Sequence, residues 1–462
     1  MAIVQVVISI LMFVAILIAI QKKFNPITTL LMTGTVVLLL WSIFTGYTPL
    51  GEATTGSAIL DTFEYFKAVC IKYFPSGIII MAVLGYVGYM NNLQATDLFA
   101  QFLAKPLRKL KNPYLVGALV ILLGWIFVTA LPSGVAIVAL LFGVVYPIMR
   151  KVGLSPAASA SAITIGCATY LAPGNPGTVN VLAMFDTSVT ASELFAQGLP
   201  YMALYIVVAM IVYLLTAKFF DKREAAKGIM NVTAEVENEN VKEIKRPKWY
   251  AIFPVLPIVF TIVFSSIVAK SVVLSAVGAC FLSFCIVFVV ELIYTRKPQM
   301  VFSDALHFYN GLGDGFGKAG MVGIAGMVFS AALSAVGGIQ ILATALTSIS
   351  NMPIVAIIVF FMLVYALLFY VTGTFAISLY SIIPIVNATL TTMGRTDLIV
   401  PAVMCALLMG QCVGQCSTPI SAATLFISGA TGVTPTTVSK RNALPAILGG
   451  LVSMAAVLVF MV

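Results

Sequence analysis

The chain has 462 residues, 61% of them hydrophobic, with a mean hydropathy of +1.09 and only 9% charged residues. A soluble domain carries about 25% charged residues, so composition excludes a soluble globular protein and predicts an all-α polytopic membrane protein. The formal net charge of +9 comes from short basic clusters between apolar runs, the pattern of membrane topology, and no nucleic-acid partner is inferred.

Residues 2–20 have neither a basic n-region nor a small-residue cleavage site and read as a first span. Spans follow at 27–45 and 76–93, then a basic stretch carrying Lys105, Arg108, Lys109 and Lys111. Residues 112–149 form a long apolar run with a polar tip, Leu131-Pro132-Ser133-Gly134, and read as a re-entrant hairpin. The next span, 155–184, is interrupted by YLAPGNPGTVN (170–180), whose prolines and glycines break a helix. After span 197–217 comes the one long polar segment, 218–248, with eight Lys and Arg. It reads as a cytoplasmic linker, not a second domain.

The C-terminal half repeats this plan. Spans at 249–268, 271–295 and 318–336 precede an uncharged stretch, 338–351, and a second hairpin at 353–391 with the tip Val371-Thr372-Gly373-Thr374. A second interruption, GQCSTPISAAT, lies at 414–424. Pro156 and Pro401 are 245 positions apart, Pro173 and Pro419 are 246 apart, and Pro200 and Pro445 are 245 apart. The chain therefore divides into an N-terminal repeat (1–217), the linker (218–248) and a C-terminal repeat (249–462). The basic 105–111 against the uncharged 338–351 predicts opposite orientations, with both termini outside.

Inverted repeats with broken helices recur in secondary transporters. Irregular backbone at membrane depth persists only where protein or a wet cavity surrounds it. Two paired breaks and two hairpin tips therefore predict a central site. Its expected ligand is an anion, because half-helix N-termini present free N–H groups and partial positive charge. The candidate binding residues are Ser133, Gly134, Asn175, Gly177, Thr178, Asn180, Thr372, Gly373, Thr374, Ser417, Thr418 and Ser421, chiefly hydroxyl and amide donors in segments without ionisable residues. Ser421 and Thr424 have an ordinary alternative, bonding their own i−4 carbonyls.

The seven cysteines lie in or beside apolar segments without CxxC spacing and read as packing residues. GFGKAG (315–320) follows no strand, so it reads as a helix-packing element and not a dinucleotide loop. His307 precedes a span and reads as interfacial. An intramembrane enzyme would need a nucleophile, base or metal set at depth, and no buried acid pair is expected. A passive channel fits the paired interruptions less well than a closed site.

TGSAILDTFEYFKAVC (55–70), GYVGYMNNLQATDLFAQFLAKPLRKLKNPYL (85–115) and STPISAATLFISGATGVTPTTVSKRNALPAILGG (417–450) resemble the DcuC-type anaerobic C4-dicarboxylate transporter family, of the organic-anion ion transporter superfamily. The resemblance covers nearly the whole chain. It implies a scaffold domain, a mobile transport domain, elevator-type alternating access, a homodimer in the inner membrane and C4-dicarboxylates such as succinate, fumarate or malate as substrates. APGNPGT is similar to the proline–glycine turn of gluconate permeases, and STPISAAT to citrate–metal carriers, so gluconate, citrate or another carboxylate stays open. Beyond substrate and membrane lipid, the only further partner expected is a coupling cation, a sodium ion or a proton; no cofactor or resident metal is inferred.

Overall fold

The structure, a computed structural model, describes residues 2–22, 24–130, 134–185, 187–226, 246–264, 274–338, 341 and 353–462. Among these residues every regular element is helical, and nine helical segments are long and apolar enough to cross a membrane.

Helix α1 (Ala2–Gln21) leads to α2 (Pro26–Thr45), which opens on Asn25. The Asn25 side chain accepts from the backbone N–H groups of Ile27 and Thr28, and Pro26 occupies the first helical position. Helix α3 (Ala58–Asn92) is one 35-residue rod. The sequence places its start at residue 76, behind Pro75, but the helix runs through that proline. Neighbouring helices tolerate such breaks in membranes. At 1.5 Å per residue it spans about 50 Å, well beyond a hydrocarbon core of about 30 Å. Short α4 (Ala95–Ala104) follows.

Helices α5 (Pro113–Ala130), α6 (Gly134–Val144) and α7 (Tyr146–Lys151) occupy the first predicted hairpin. Then come α8 (Pro156–Cys167), α9 (Pro176–Ala183) and α10 (Ala191–Ala226). The last of these runs on through residues 218–226, the start of the polar segment, where Asp221 and Glu224 are held by a partner described below.

Past the linker, a 3₁₀ stretch, Lys248–Val255, feeds α11 (Leu256–Val263), followed by α12 (Ala276–Thr295), α13 (Pro298–Asp304), α14 (Leu306–Gly315) and α15 (Met321–Val336). A π-helical turn, Phe316–Gly320, joins α14 to α15, so the span predicted from residue 318 is the end of a longer helical run. Helix α14 packs on α3 almost backbone to backbone. A Cβ at Gly315 would stand 2.8 Å from Met81 Cα. The first glycine of GFGKAG thus serves helix packing. His307 is exposed, with Nδ1 3.1 Å from the Asp304 carbonyl.

The second hairpin comprises α16 (Ile354–Thr372) and α17 (Phe375–Thr392). Then come α18 (Ile399–Cys405), a π-helical stretch (Ala406–Val413), α19 (Gly414–Ser417), α20 (Ala422–Thr431) and α21 (Pro435–Phe460). Pro200 and Pro445, matched in the sequence, both lie inside long helices, α10 and α21, which pack along each other. The halves also interlock: α6 packs on α20, and α17 on α9.

Among the described residues, two knots of paired charge lie in the interior, apart from buried Asp61, which Thr54 and Thr55 hold. Arg441 on α21 bonds Asp221 at 2.7 Å and Glu224 at 2.7 and 2.9 Å. Asp221 also accepts from Ser155, which caps α8, at 2.6 Å, and from Tyr114 at 3.2 Å. The acid pair is Asp221, which is buried, and Glu224, which is half-buried. Both members are spent on one guanidinium. Next to Arg441, Asn442 accepts from Ser161 at 2.6 Å and donates to Thr164 at 2.8 Å, fastening α21 to α8. The second knot pairs Arg246 with Glu291 at 3.0 Å and, more loosely, with Asp304 at 3.9 Å.

Candidate functional site at the two broken helices

The first break runs from Ala168 to Asn175. Asn175 caps α9, its Oδ1 accepting from Gly177 N at 2.8 Å, with Pro176 at the first helical position. Thr178 braces the loop from behind. Its hydroxyl donates to the Tyr170 carbonyl and accepts from Ala172 N at 3.3 Å. The freed backbone is thus satisfied by side chains, as membrane depth requires.

The second break, Thr418–Ser421, is built alike. Thr418 Oγ1 donates to the Tyr370 carbonyl at 2.7 Å. Ser421 caps α20, accepting from Thr424 N at 3.3 Å and donating to Thr424 Oγ1 at 2.9 Å, so neither hydroxyl takes the i−4 pattern considered from sequence for this pair. The Ser417 carbonyl accepts from Ser439 of α21.

Each hairpin meets a break. Gly373, at φ +68°, ends α16 and donates to the Phe369 carbonyl at 2.8 Å. A Cβ there would lie 2.6 Å from Ile420 Cγ1, so a side chain at Gly373 would both strain the turn and strike the second break. Thr372 Oγ1 donates to the Thr374 carbonyl at 3.2 Å. Phe375 faces Tyr170 of the first break, ring centroids 6.2 Å apart. Thr129 and Ala130, at the end of α5, share with Pro173 and Gly174 the lining of a cavity of about 30 Å³, room for about two waters. Ser133 lies outside the described residues, and Gly134 opens α6.

Between the breaks, buried polar atoms lack a protein partner among the described residues. Asn180 accepts from the Tyr73 hydroxyl at 2.5 Å while its Nδ2 is unpaired. Tyr380 neighbours both Tyr73 and Tyr365, and Tyr365 faces Gln411. Gln411 Nε2 donates to the Gly177 carbonyl at 3.5 Å. Asn180, Tyr73, Tyr380, Tyr365, Gln411 and Gly177 thus form one polar cluster. Beside them Asn180 Nδ2 and Tyr380 OH are unpaired. Thr374 Oγ1 at the tip, Ser381 Oγ beside Tyr380 and Ser417 Oγ at the second break are unpaired as well. Each unmet buried group costs about 1–3 kcal/mol, so this many together ask for a polar ligand. Most can donate, which suits carboxylate oxygens. No Asp, Glu, Lys, Arg or His occurs in 170–180, 365–381 or 411–421.

The structure sorts the predicted residues. Asn180, Thr374 and Ser417 present free polar atoms. Asn175, Thr178, Thr372, Thr418 and Ser421 use their oxygens to shape the breaks. Gly177 is required by closeness, since a Cβ would run into Gln411 Oε1 and the Tyr170 ring. Sequence reasoning missed Tyr73, Tyr365, Tyr380, Ser381 and Gln411. Gln411 carried a readable signal, a polar side chain amid an apolar run. The tyrosines did not, since aromatic residues are ordinary in membrane helices.

A multi-pass helical fold with two broken helices around a buried polar centre defines a membrane transporter. The chain belongs to the DcuC family, described as C4-dicarboxylate anaerobic carrier, whose model matches residues 4–462. It is 26% identical over 427 residues to the anaerobic C4-dicarboxylate transporter DcuC of Escherichia coli K12, covering 91% of this chain and 89% of that one. It is 25% identical over 437 residues to the probable anaerobic C4-dicarboxylate transporter DcuC of Vibrio cholerae, covering 93% and 92%. Its fold is similar to the crystal structure of the Alcanivorax borkumensis YdaH transporter, with a TM-score of 0.59, 14% identity and coverage of 94% and 98%. It is also similar to Neisseria gonorrhoeae MtrF, of a class of antimetabolite efflux pumps, with a TM-score of 0.58, 15% identity and 96% coverage of each chain. The protein is thus a multi-pass inner-membrane transporter.

Proposed function

We propose that the protein carries C4-dicarboxylates such as succinate, fumarate or malate by alternating access, binding them at the polar cluster between the two breaks. The observation that carries this reading is the set of unpaired, mostly donor-capable groups where both broken helices meet. Family membership supports the substrate class.

The charge balance supports a coupled cation. The N-termini of α9 and α20 each contribute about half a positive charge, roughly one in all, against two on a dicarboxylate. No basic side chain in the three segments supplies the rest. Desolvating an uncompensated charge costs several kcal/mol. The remaining compensation then comes from a sodium ion or a proton travelling with the substrate. The Tyr73–Asn180 bond joins α3 to a broken helix, a boundary suited to an elevator-type movement of the hairpins and broken helices against a scaffold of α1–α4 and α11–α15. The matched prolines and the interlocked hairpins support inverted repeats, with the linker cytoplasmic and both termini outside. A homodimer completes the proposal.

Proteoliposome uptake with labelled succinate, fumarate, malate, gluconate and citrate, under separate sodium and proton gradients, tests the reading. Saturable C4-dicarboxylate uptake driven by one gradient is expected. Uptake of gluconate or citrate alone would overturn the substrate assignment.

A further inference from the structure

Seven bases crowd one end of the molecule without an ion-pair partner among the described residues: Lys105, Arg108, Lys109, Lys111, Lys248, Arg296 and Lys297. All are exposed. The elements carrying them are neighbours. Helix α4 is amphipathic and packs against the 3₁₀ stretch Lys248–Val255. From that stretch Trp249 meets Tyr294, at the end of α12, with ring centroids 5.9 Å apart. Arg296 and Lys297 follow directly.

Among the described residues, the acids close by are already committed. Glu291 and Asp304 are held by Arg246, and Asp97 on α4 has a partner of its own. The surface is therefore strongly positive. Large apolar side chains are set into it. Phe102 is 58% exposed with the Lys105 ammonium 5.7 Å from its ring centre, and Trp249 and Tyr294 are 46% and 52% exposed.

Topology alone accounts for bases beside a span. It does not account for an amphipathic helix with an exposed phenylalanine packed on a stretch that carries an exposed indole. Amphipathic helices rich in bases and aromatic residues lie in the headgroup layer. Trp and Tyr settle at that depth. Clustered Lys and Arg next to spans attract anionic lipid. We propose that this platform of α4, the 3₁₀ stretch and the end of α12 is a docking site for anionic phospholipid. The bases hold the headgroup phosphate, and Phe102, Trp249 and Tyr294 lie along the upper acyl chain. The proposal does not depend on the substrate.

The test is native mass spectrometry of the full-length, delipidated protein, titrated with phosphatidylglycerol and with phosphatidylcholine. Wild type should bind the anionic lipid preferentially. Each base near an anionic surface contributes about fivefold in affinity. The quadruple variant Lys105→Gln, Arg108→Gln, Lys109→Gln, Lys111→Gln should therefore lose at least about tenfold, and Arg296→Gln with Lys297→Gln less. Phe102→Gln should weaken both lipids. Lys67→Gln with Lys72→Gln, on the exposed start of α3, should change nothing. The substituted bases are all exposed, and matched melting temperatures would exclude unfolding. Unchanged phosphatidylglycerol binding by the quadruple variant would overturn the proposal. So would inorganic phosphate displacing the lipid, which would make this a site for free anions.

Discussion

Tyr73 and Asn180 meet where α3 touches the first broken helix. The Tyr73 hydroxyl donates to Asn180 Oδ1 at 2.5 Å, which fixes the amide and leaves its buried Nδ2 as a spare donor. A hydrogen bond to a charged group is worth about 1.5–3 kcal/mol. Asn180→Ala should therefore weaken succinate binding about ten- to a hundredfold. Tyr73→Phe keeps the donor but frees the amide to turn, so its loss should be smaller. Isothermal titration of both purified variants checks this. Wild-type affinity in Asn180→Ala would remove Asn180 from the site.

Gly177 stands at a contact between the two halves of the chain. A methyl group there runs into Gln411 Oε1 and the Tyr170 ring. Gly177→Ala should abolish most transport while leaving expression intact. Adding Gln411→Ser removes one of the two obstacles and should restore part of the rate. Initial uptake rates of the single and double variants measure the coupling, and equal rates would contradict the geometry.

Asn175 separates shaping from binding. Its Oδ1 is the α9 cap, and loss of a cap costs about 1 kcal/mol. Asn175→Ala should lower thermal stability by that order and substrate affinity by less than Asn180→Ala. A melting curve beside a binding isotherm distinguishes the two. A drop in affinity matching Asn180→Ala would return Asn175 to the binding set.

Arg441 holds a buried acid, Asp221, and a half-buried one, Glu224, at once. Removing one partner of a buried ion cluster costs about 3–5 kcal/mol, whereas replacing the whole cluster by neutral groups is often close to neutral. Arg441→Met should be strongly destabilised. The triple variant Arg441→Met, Asp221→Asn, Glu224→Gln should recover much of the loss. Thermal unfolding of the pair decides it, and a triple variant no better than the single one would refute the account.

The inverted repeat is tested at the ends of the two hairpins. Lys151 closes α7 and Met393 follows α17, and both are exposed. Single cysteines at 151 and 393, in a cysteine-free background, should be labelled by an impermeant reagent from opposite faces. Labelling from one face would rule the arrangement out.

The breaks were legible in the sequence because proline and glycine act locally. A helix cannot run through APGNP, and the matched spacing of Pro173 and Pro419 announced the second break. The walls of the site were not legible. Tyr365 and Tyr380 look like lipid-facing aromatics until the packing of α16 and α17 turns them inward. Pro75 misled the reading of α3 because a local break signal was overridden by the helices packed around it. Arg441, Asp221 and Glu224 looked like topology charges, since nothing local says that residues 217 and 220 positions apart will meet.

Among the described residues, the centre between the breaks contains amides, hydroxyls and phenols but no carboxyl, imidazole or amine. Such a surface keeps one charge state across the mildly acidic to neutral range, where carboxylic acids of the solute gain and lose protons. A dependence of uptake on acidity then reads the cargo's own ionisation. If a proton is the driving ion, the solute itself ferries it, and the carrier selects one protonation form without ever taking the proton onto its own site.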